Sequence, residues 1–231
     1  MTAELNWHDE RLSLLPERAI WWERRKTLII ADAHFGKPAA FRLAGSPAPE
    51  TVTDADLERL STLVRSREAR RLIALGDLFH SPEGHEADAT RTRLLSWREG
   101  HRGLAIELVL GNHDRRVDEI ARLLDIRILD ESAAEEPFHL RHDPIDDPTS
   151  PTLAGHLHPV VRLTAPTGAG VAGLRAPCFW VRPLILILPS FGSFTGGYRI
   201  QPRSGDRIFA VGPDAVVECA TTLRRRSRSR A

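Results

Sequence analysis

The chain has 231 residues, 42% of them apolar and 27% charged, which is ordinary for a globular protein and enough to bury one large core. Five arginines sit in 224–230, so the formal net charge of +1 leaves residues 1–223 at −4 and excludes a body that binds nucleic acid by net charge alone. The longest purely aliphatic run, Leu184 to Leu188, is far short of the ~20 residues of a membrane helix, and no secretory signal opens the sequence. Cys178 and Cys219 lack a metal-type spacing, so a cytoplasmic protein with reduced thiols and no membrane partner is expected.

Along the chain, residues 10–32 alternate short apolar bursts with Pro16 and the charged run Glu23 to Lys26, which predicts a hairpin feeding a buried strand. Residues 38–53 read as a loop rich in Pro, Ala and Gly. Thr53-Asp54 then opens a helix with Leu57, Leu60, Leu63 and Val64 on one face. A strand is predicted at 71–76, a loop at 80–88, a helix at about 89–100, a strand at 105–110 and a helix at 117–124. That alternation predicts a mostly parallel sheet covered by helices. From 126 onward the pattern changes to short strands and turns, at 136–141, 151–154, 160–164, 178–181, 184–188 and 207–218. One domain over 1–223 is expected, with an α/β half packed face to face on a β-rich half, and a disordered Arg/Ser tail at 224–231.

Five short pieces carry the chemistry. Asp32-Ala33-His34 closes the run TLII, and in an extended segment residues i and i+2 share a face, so both side chains can point at one ion. Gly76-Asp77 closes RLIAL, where a carboxylate can bridge two cations with its two oxygens. Both runs end strands of one sheet, whose carboxyl ends line the ligand crevice of an open α/β fold. Gly111-Asn112-His113-Asp114 closes IELVL; the Asn112 amide is a neutral ligand, His113 can protonate a leaving oxygen or stabilise phosphoryl charge, and Asp114 can orient its imidazole. Gly155-His156-Leu157-His158 offers two imidazoles at i and i+2. A further ligand should come from the β-rich half, where His142, just before Asp143-Pro144, reaches the sheet edge better than His139. Carboxylate, imidazole and amide donors converging this way suit a pair of divalent cations and the hydrolysis of phosphorus esters.

In order and spacing these pieces resemble the calcineurin-like metallophosphoesterase superfamily, whose pattern D-x-H, G-D, G-N-H-[DE], H, G-H-x-H spans residues 32–158. The resemblance implies a four-layer αββα sandwich. It assigns Asp32, His34, Asp77 and His158 to one metal, and Asp77, Asn112, His142 and His156 to the other. His113 would assist a metal-bridging hydroxide that attacks phosphorus in line. The segments Leu15 to Ala19, Ala31 to Lys37, Gly76 to Ser81, Gly111 to Arg115 and Ser190 to Gly197 are similar to the bacterial DNA ligase-associated metallophosphoesterases. That narrower likeness implies a nuclease or phosphodiesterase linked to DNA repair, acting on DNA or another phosphodiester beside a ligase, a helicase and an exonuclease-like partner.

The thiolate-free donor set favours Mn²⁺, with Fe or Zn²⁺ also compatible and Mg²⁺ less so. Arg115, Lys37, Arg42 and His80 lie close to these motifs and are candidate substrate contacts; an acidic residue often stands in the superfamily where this chain has His80. Trp21-Trp22 could stack on bases but fits a core pair better, and the arginine tail could track phosphates. Two other readings share the residues. A phosphodiesterase or phosphatase of small nucleotides or lipid-linked phosphates would use the same centre. A non-catalytic scaffold of this fold would lack ligands or the imidazole, and here every position is filled.

Overall fold

The computed structural model describes residues 1–49, 51–167 and 170–219; the arginine-rich tail lies outside them. The first sheet has seven strands in sequence order: β1 (Ala3–Trp7), β2 (Glu10–Leu14), β3 (Ile20–Trp22), β4 (Thr27–Ile30), β5 (Arg71–Leu75), β6 (Ala105–Val109) and β7 (Ile126–Leu129). β1 to β4 run antiparallel and β4 to β7 run parallel. The inner parallel strands β4, β5 and β6 are mostly apolar, as strands covered on both faces are. Leu28, Ile30, Leu72, Ala74, Ile106 and Leu108 meet the helices, while Ile29, Ile73, Leu75 and Val109 face the second sheet. The helix layer consists of α1 (Lys37–Leu43), α2 (Thr51–Ser66), α3 (Pro82–Glu86), α4 (Asp88–Glu99) and α5 (Asp118–Leu123). α2 buries Leu57, Leu60, Leu63 and Val64, the face its periodicity predicts.

The second sheet contains β8 (Ser132–Glu135), β9 (Phe138–Arg141), β10 (Thr152–Ala154), β11 (Pro159–Thr167), β12 (Gly170–Val181), β13 (Ile185–Ile187), β14 (Tyr198–Arg199), β15 (Arg207–Val211) and β16 (Val216–Cys219). Its order is β14-β11-β12-β13-β10-β9-β8, with β15 on β12 and β16 on β15. Phe138, Leu140, Leu153, Phe179, Leu186 and Phe209 fill the space between the sheets. The result is the expected α/β sandwich of two mixed sheets face to face. Within the second sheet, β9, β10 and β13 are mutually parallel. Their carboxyl ends therefore deliver His142, His156 and Ser190 to the same side of the molecule. No helix among the described residues is long and apolar enough to cross a membrane.

Four local expectations change. The expected loop at 38–53 contains α1: Pro38 falls in its first turn, where a missing N–H leaves no bond unmade. The loop at 80–88 contains α3, capped by the Ser81 hydroxyl, which accepts from the Gly84 amide at 3.3 Å. The strand expected at 136–141 starts later, as β9, and pairs in a hairpin with β8 that turns at 136–137. The strand expected at 207–218 is a hairpin of β15 and β16. Trp21 and Trp22 are core residues, and the Trp22 indole donates to Glu10 at 2.7 Å. Cys178 and Cys219 are free thiols.

At the amino-terminal end of β5 an ion network joins the sheets. Arg71 donates through Nε to Glu107 of β6 at 2.9 Å and through a terminal nitrogen to Glu135 of β8 at 2.7 Å. Arg127 of β7 reaches the other Glu107 oxygen at 3.2 Å. The hydrogen bond from Arg71 holds the Glu135 carboxyl below its ordinary value of 4.5. A carboxyl lowered on folding adds stability above its unfolded pKa and loses it as pH falls through the folded one. Glu135→Gln should therefore destabilise the fold by about 2 kcal/mol at pH 7, the worth of a charge-assisted hydrogen bond. The difference from wild type should shrink as urea unfolding is repeated below pH 4.5. A penalty independent of pH would show that packing, not the ion pair, is what the substitution removes.

Candidate metal centre

Strand ends bring the predicted residues together, but the backbone that carries them is not extended. Asp32 (φ 55°), His34 (φ 49°), Asp77 (φ 49°), His156 (φ 68°) and His158 (φ 46°) all lie in the left-handed region. That region is uncommon for residues with a Cβ, and such strain persists only where the surroundings over-determine it. The i, i+2 pairs of D-x-H and H-x-H thus converge through left-handed turns rather than along a strand. Ladder-like bonds continue past the strand ends to hold them: the Asp32 amide donates to Gly76 O at 3.1 Å and the His34 amide to Asp77 O at 2.9 Å. Glycine is required beside them. A Cβ on Gly76 would strike the His142 ring, and one on Gly111 would strike the Asp77 carboxylate.

Seven predicted residues form one continuous set. The ligand atoms of Asp32, His34 and His158 lie within 4.8 Å of one another, as do those of Asp77, His142 and His156. His34 Nε2 is 3.4 Å from His158 Nε2, which is 3.3 Å from Asp32 Oδ1. His142 Nε2 lies 3.0 Å from His156 Nδ1, 3.1 Å from Asn112 Oδ1 and 3.5 Å from Asp77 Oδ2. His142 Nδ1 donates to Leu75 O at 3.0 Å and His158 Nδ1 to Gly196 O at 3.2 Å, so in the neutral rings both Nε2 atoms present bare lone pairs. Burial, reinforced by His158 and Lys37, pushes the His34 imidazole down to about 2, which keeps it neutral. Burial also raises the Asp77 carboxyl, with His142 and the His113 amide pulling the other way. For His158 burial acts downward, but the hydrogen bond and charge of Asp32 outweigh it and raise the ring. Lone pairs facing lone pairs beside two almost wholly buried carboxylates form a donor set that divalent cations stabilise. These residues fit metal ions.

His113 sits at the edge of this set. Its amide donates to Asp77 Oδ1 at 2.8 Å and its Nδ1 to His80 O at 2.8 Å. The His80 ring, lowered to about 4 by burial and then by Lys37 and His113, stacks on it at 4.9 Å and 20°. His34, His80 and His113 form a third group of converging nitrogens, sharing His34 with the first. Asp114 does not orient the His113 imidazole, contrary to the sequence expectation. Its buried carboxylate accepts from the amides of Phe79 and Gly111, both at 2.9 Å, and so ties the 111–114 turn to the segment after Asp77. Burial raises that carboxyl to about 6. Lys37 is half-buried, its ammonium lowered by that burial while Asp77 acts the other way. Arg115 is exposed and donates to Asn112 O at 3.3 Å, whereas Arg42 donates to Ala48 O at 3.0 Å.

The segment Ser190 to Gly197 supports the centre from behind. Ser190 Oγ donates to Asp32 O at 2.7 Å, and the Phe191 amide donates to Ala31 O at 2.8 Å. That loop is clamped from α2. Buried Asp56 accepts from Ser193 N at 2.9 Å and Ser193 Oγ at 2.6 Å and pairs with Arg59 at 2.9 Å. The Arg59 guanidinium stacks 4.3 Å from the Phe191 ring, while Arg18 reaches Ser190 O and Gly192 O at 3.4 Å each. Asp56 is a buried carboxylate inside an apolar helix face, and that anomaly is the one signal of its role in the sequence.

No family model and no curated protein matches the chain. Among solved structures, the nuclease MPE of Pseudomonas putida is similar at 36% identity, with a TM-score of 0.78, over 94% of this chain and 100% of that one. Yfce, a phosphoesterase from E. coli, is 20% identical over 85% of this chain and 99% of that one, with a TM-score of 0.43. AQ665 of Aquifex aeolicus, a protein of unknown function, is 18% identical over 56% and 77% of the two chains, at 0.39. The last two likenesses are too slight to bear on the argument. The fold, the donor set and the first likeness define a metal-dependent phosphoesterase. The chain belongs to the calcineurin-like metallophosphoesterases.

Asp56→Ala should free the 190–193 loop and lower metal affinity about 10- to 100-fold, as loss of an outer-sphere support does, with activity recovering at high metal concentration. Isothermal titration of the metal-stripped protein measures it. Unchanged affinity with a lower melting temperature would reduce the clamp to support of the fold alone.

Proposed function

We propose that this chain is a two-metal phosphodiesterase whose substrate is nucleic acid. The observation that carries the pair is the position of Asp77 Oδ2, 3.8 Å from His34 Nε2 and 3.5 Å from His142 Nε2. One carboxylate oxygen thus lies between two imidazole sets, while its twin is held by the His113 amide. Asp32, His34, Asp77 and His158 would hold one ion, and Asp77, Asn112, His142 and His156 the other. The thiolate-free donors favour Mn²⁺, with Fe or Zn²⁺ compatible. Bound there, two divalent ions supply the Lewis acidity for an in-line displacement at phosphorus.

The chain's own residues supply the rest. The Nδ1–H of His113 donates to the His80 carbonyl, so Nε2 is the atom that, after taking a second proton from solvent, would pass it to the leaving oxygen and return the ring to its neutral form. Stacking on the uncharged His80 ring holds that imidazole in place. Lys37 and Arg115 flank the centre from opposite motifs and would bind phosphate oxygens. Nucleic acid as the substrate draws on the similar Pseudomonas putida protein, a nuclease. A place in DNA repair beside a ligase, a helicase and an exonuclease-like protein rests on the flanking segments alone.

An Mn²⁺ activity screen comparing bis-p-nitrophenyl phosphate, a monoester, single-stranded DNA and duplex DNA tests the reading; turnover of the monoester alone would refute it. Asp77→Asn should abolish diester hydrolysis in a folded protein, and near-normal turnover would sink the shared-ligand assignment. His113→Ala should keep both ions and lose about 10²–10⁴ in kcat. Loss of an ion in that variant would make His113 a ligand instead.

A further inference from the structure

The rim of the centre carries rings that phosphoryl chemistry alone does not need. Beyond the stacked His113 and His80, Phe41 of α1 lies 6.1 Å from the His80 ring. Phe194, from the loop clamped by Asp56, meets Phe41 edge-on at 5.5 Å and 81°. Lys37 Nζ sits 5.9 Å from the Phe41 centroid, within reach of a cation–π contact. Exposed apolar side chains scattered singly mean little. Here, however, the most exposed aromatic side chains among the described residues are Tyr198 at 53% and Phe41 at 37%. Phe41 belongs to this rim, and the Tyr198 main chain adjoins it, its amide donating to His158 O at 2.9 Å. Trp21 and Trp22, the pair that a sequence reader would offer to a base, are buried instead.

We propose that Phe41, braced edge-on by Phe194, offers the stacking face for the nucleobase next to the scissile phosphodiester, with Lys37 holding that nucleotide's phosphate. The proposal rests on the phosphodiesterase reading above and deepens it. Every base offers a flat π face, so stacking admits any sequence while rejecting esters that have nothing to stack. The continuity of rings from His113 to Phe41 places such a face beside the phosphorus chemistry, and the Lys37 ammonium complements the phosphate.

The test compares thymidine 5′-(p-nitrophenyl phosphate) with methyl p-nitrophenyl phosphate on the Mn²⁺-loaded enzyme, using the ratio of their kcat/KM values. The wild type should favour the thymidine ester by about 5- to 150-fold, the range that stacking of one base supplies. Phe41→Ala and Phe194→Ala should each lower that ratio toward one, chiefly through KM. Phe41→Leu, which keeps apolar bulk without the ring, should resemble the alanine variant. Equal turnover of the two esters by the wild type, or a ratio that survives in all three variants, overturns the platform and leaves the phosphodiesterase reading intact. Failure to hydrolyse either ester overturns both.

Discussion

Burying a carboxylate such as Asp77 in a protein interior is costly, and the centre is organised around that cost. Asp77 and Asp32 are almost wholly buried, and the imidazole nitrogens and the Asn112 oxygen converge on them. Left alone, such a cluster would be strongly unfavourable. Positive charge brought from outside reverses the sign, and this explains why so much of the fold serves to hold lone pairs in place. Carbonyls of Leu75 and Gly196 fix two ring tautomers, and the His113 amide pins one Asp77 oxygen so that the other faces the imidazoles.

Positioning has its own cost. Five of the converging side chains stand on left-handed backbone, a conformation uncommon for any residue with a Cβ although Asp and His tolerate it better than most. Two sheets pay for it jointly. Bonds from Asp32 and His34 into the Gly76-Asp77 segment extend the first sheet past its strands, while Ser190 and Phe191 at the end of β13 bind the same turn from the second. The α2 clamp then braces that loop from the helix layer. Each layer therefore contributes one constraint to a centre that no single layer could hold.

Much of this was legible in the sequence, because strand ends are marked by apolar runs and the donors follow them directly. TLII, RLIAL and IELVL became β4, β5 and β6, and the choice of His142 over His139 followed from its place just after a strand, where a side chain turns toward the sheet edge. Propensity misled where position within an element decides. Pro38 and Pro82 opened helices, and the i, i+2 geometry was achieved by left-handed turns that hydrophobic periodicity does not encode. Asp114 looked like a partner for the adjacent ring but satisfies two amides, since main-chain donors left over at a strand end have no sequence signature. The partners of Asp56 and the Phe41–Phe194 pair were not legible for a related reason: both contacts join segments more than a hundred residues apart.

The central claim is that one oxygen of Asp77 serves two metal ions. Titrating the metal-stripped chain with Mn²⁺ and following it by electron paramagnetic resonance tests this directly. Two equivalents should bind and give the multiline spectrum of an exchange-coupled pair. A single equivalent, or two ions with uncoupled spectra, would contradict it.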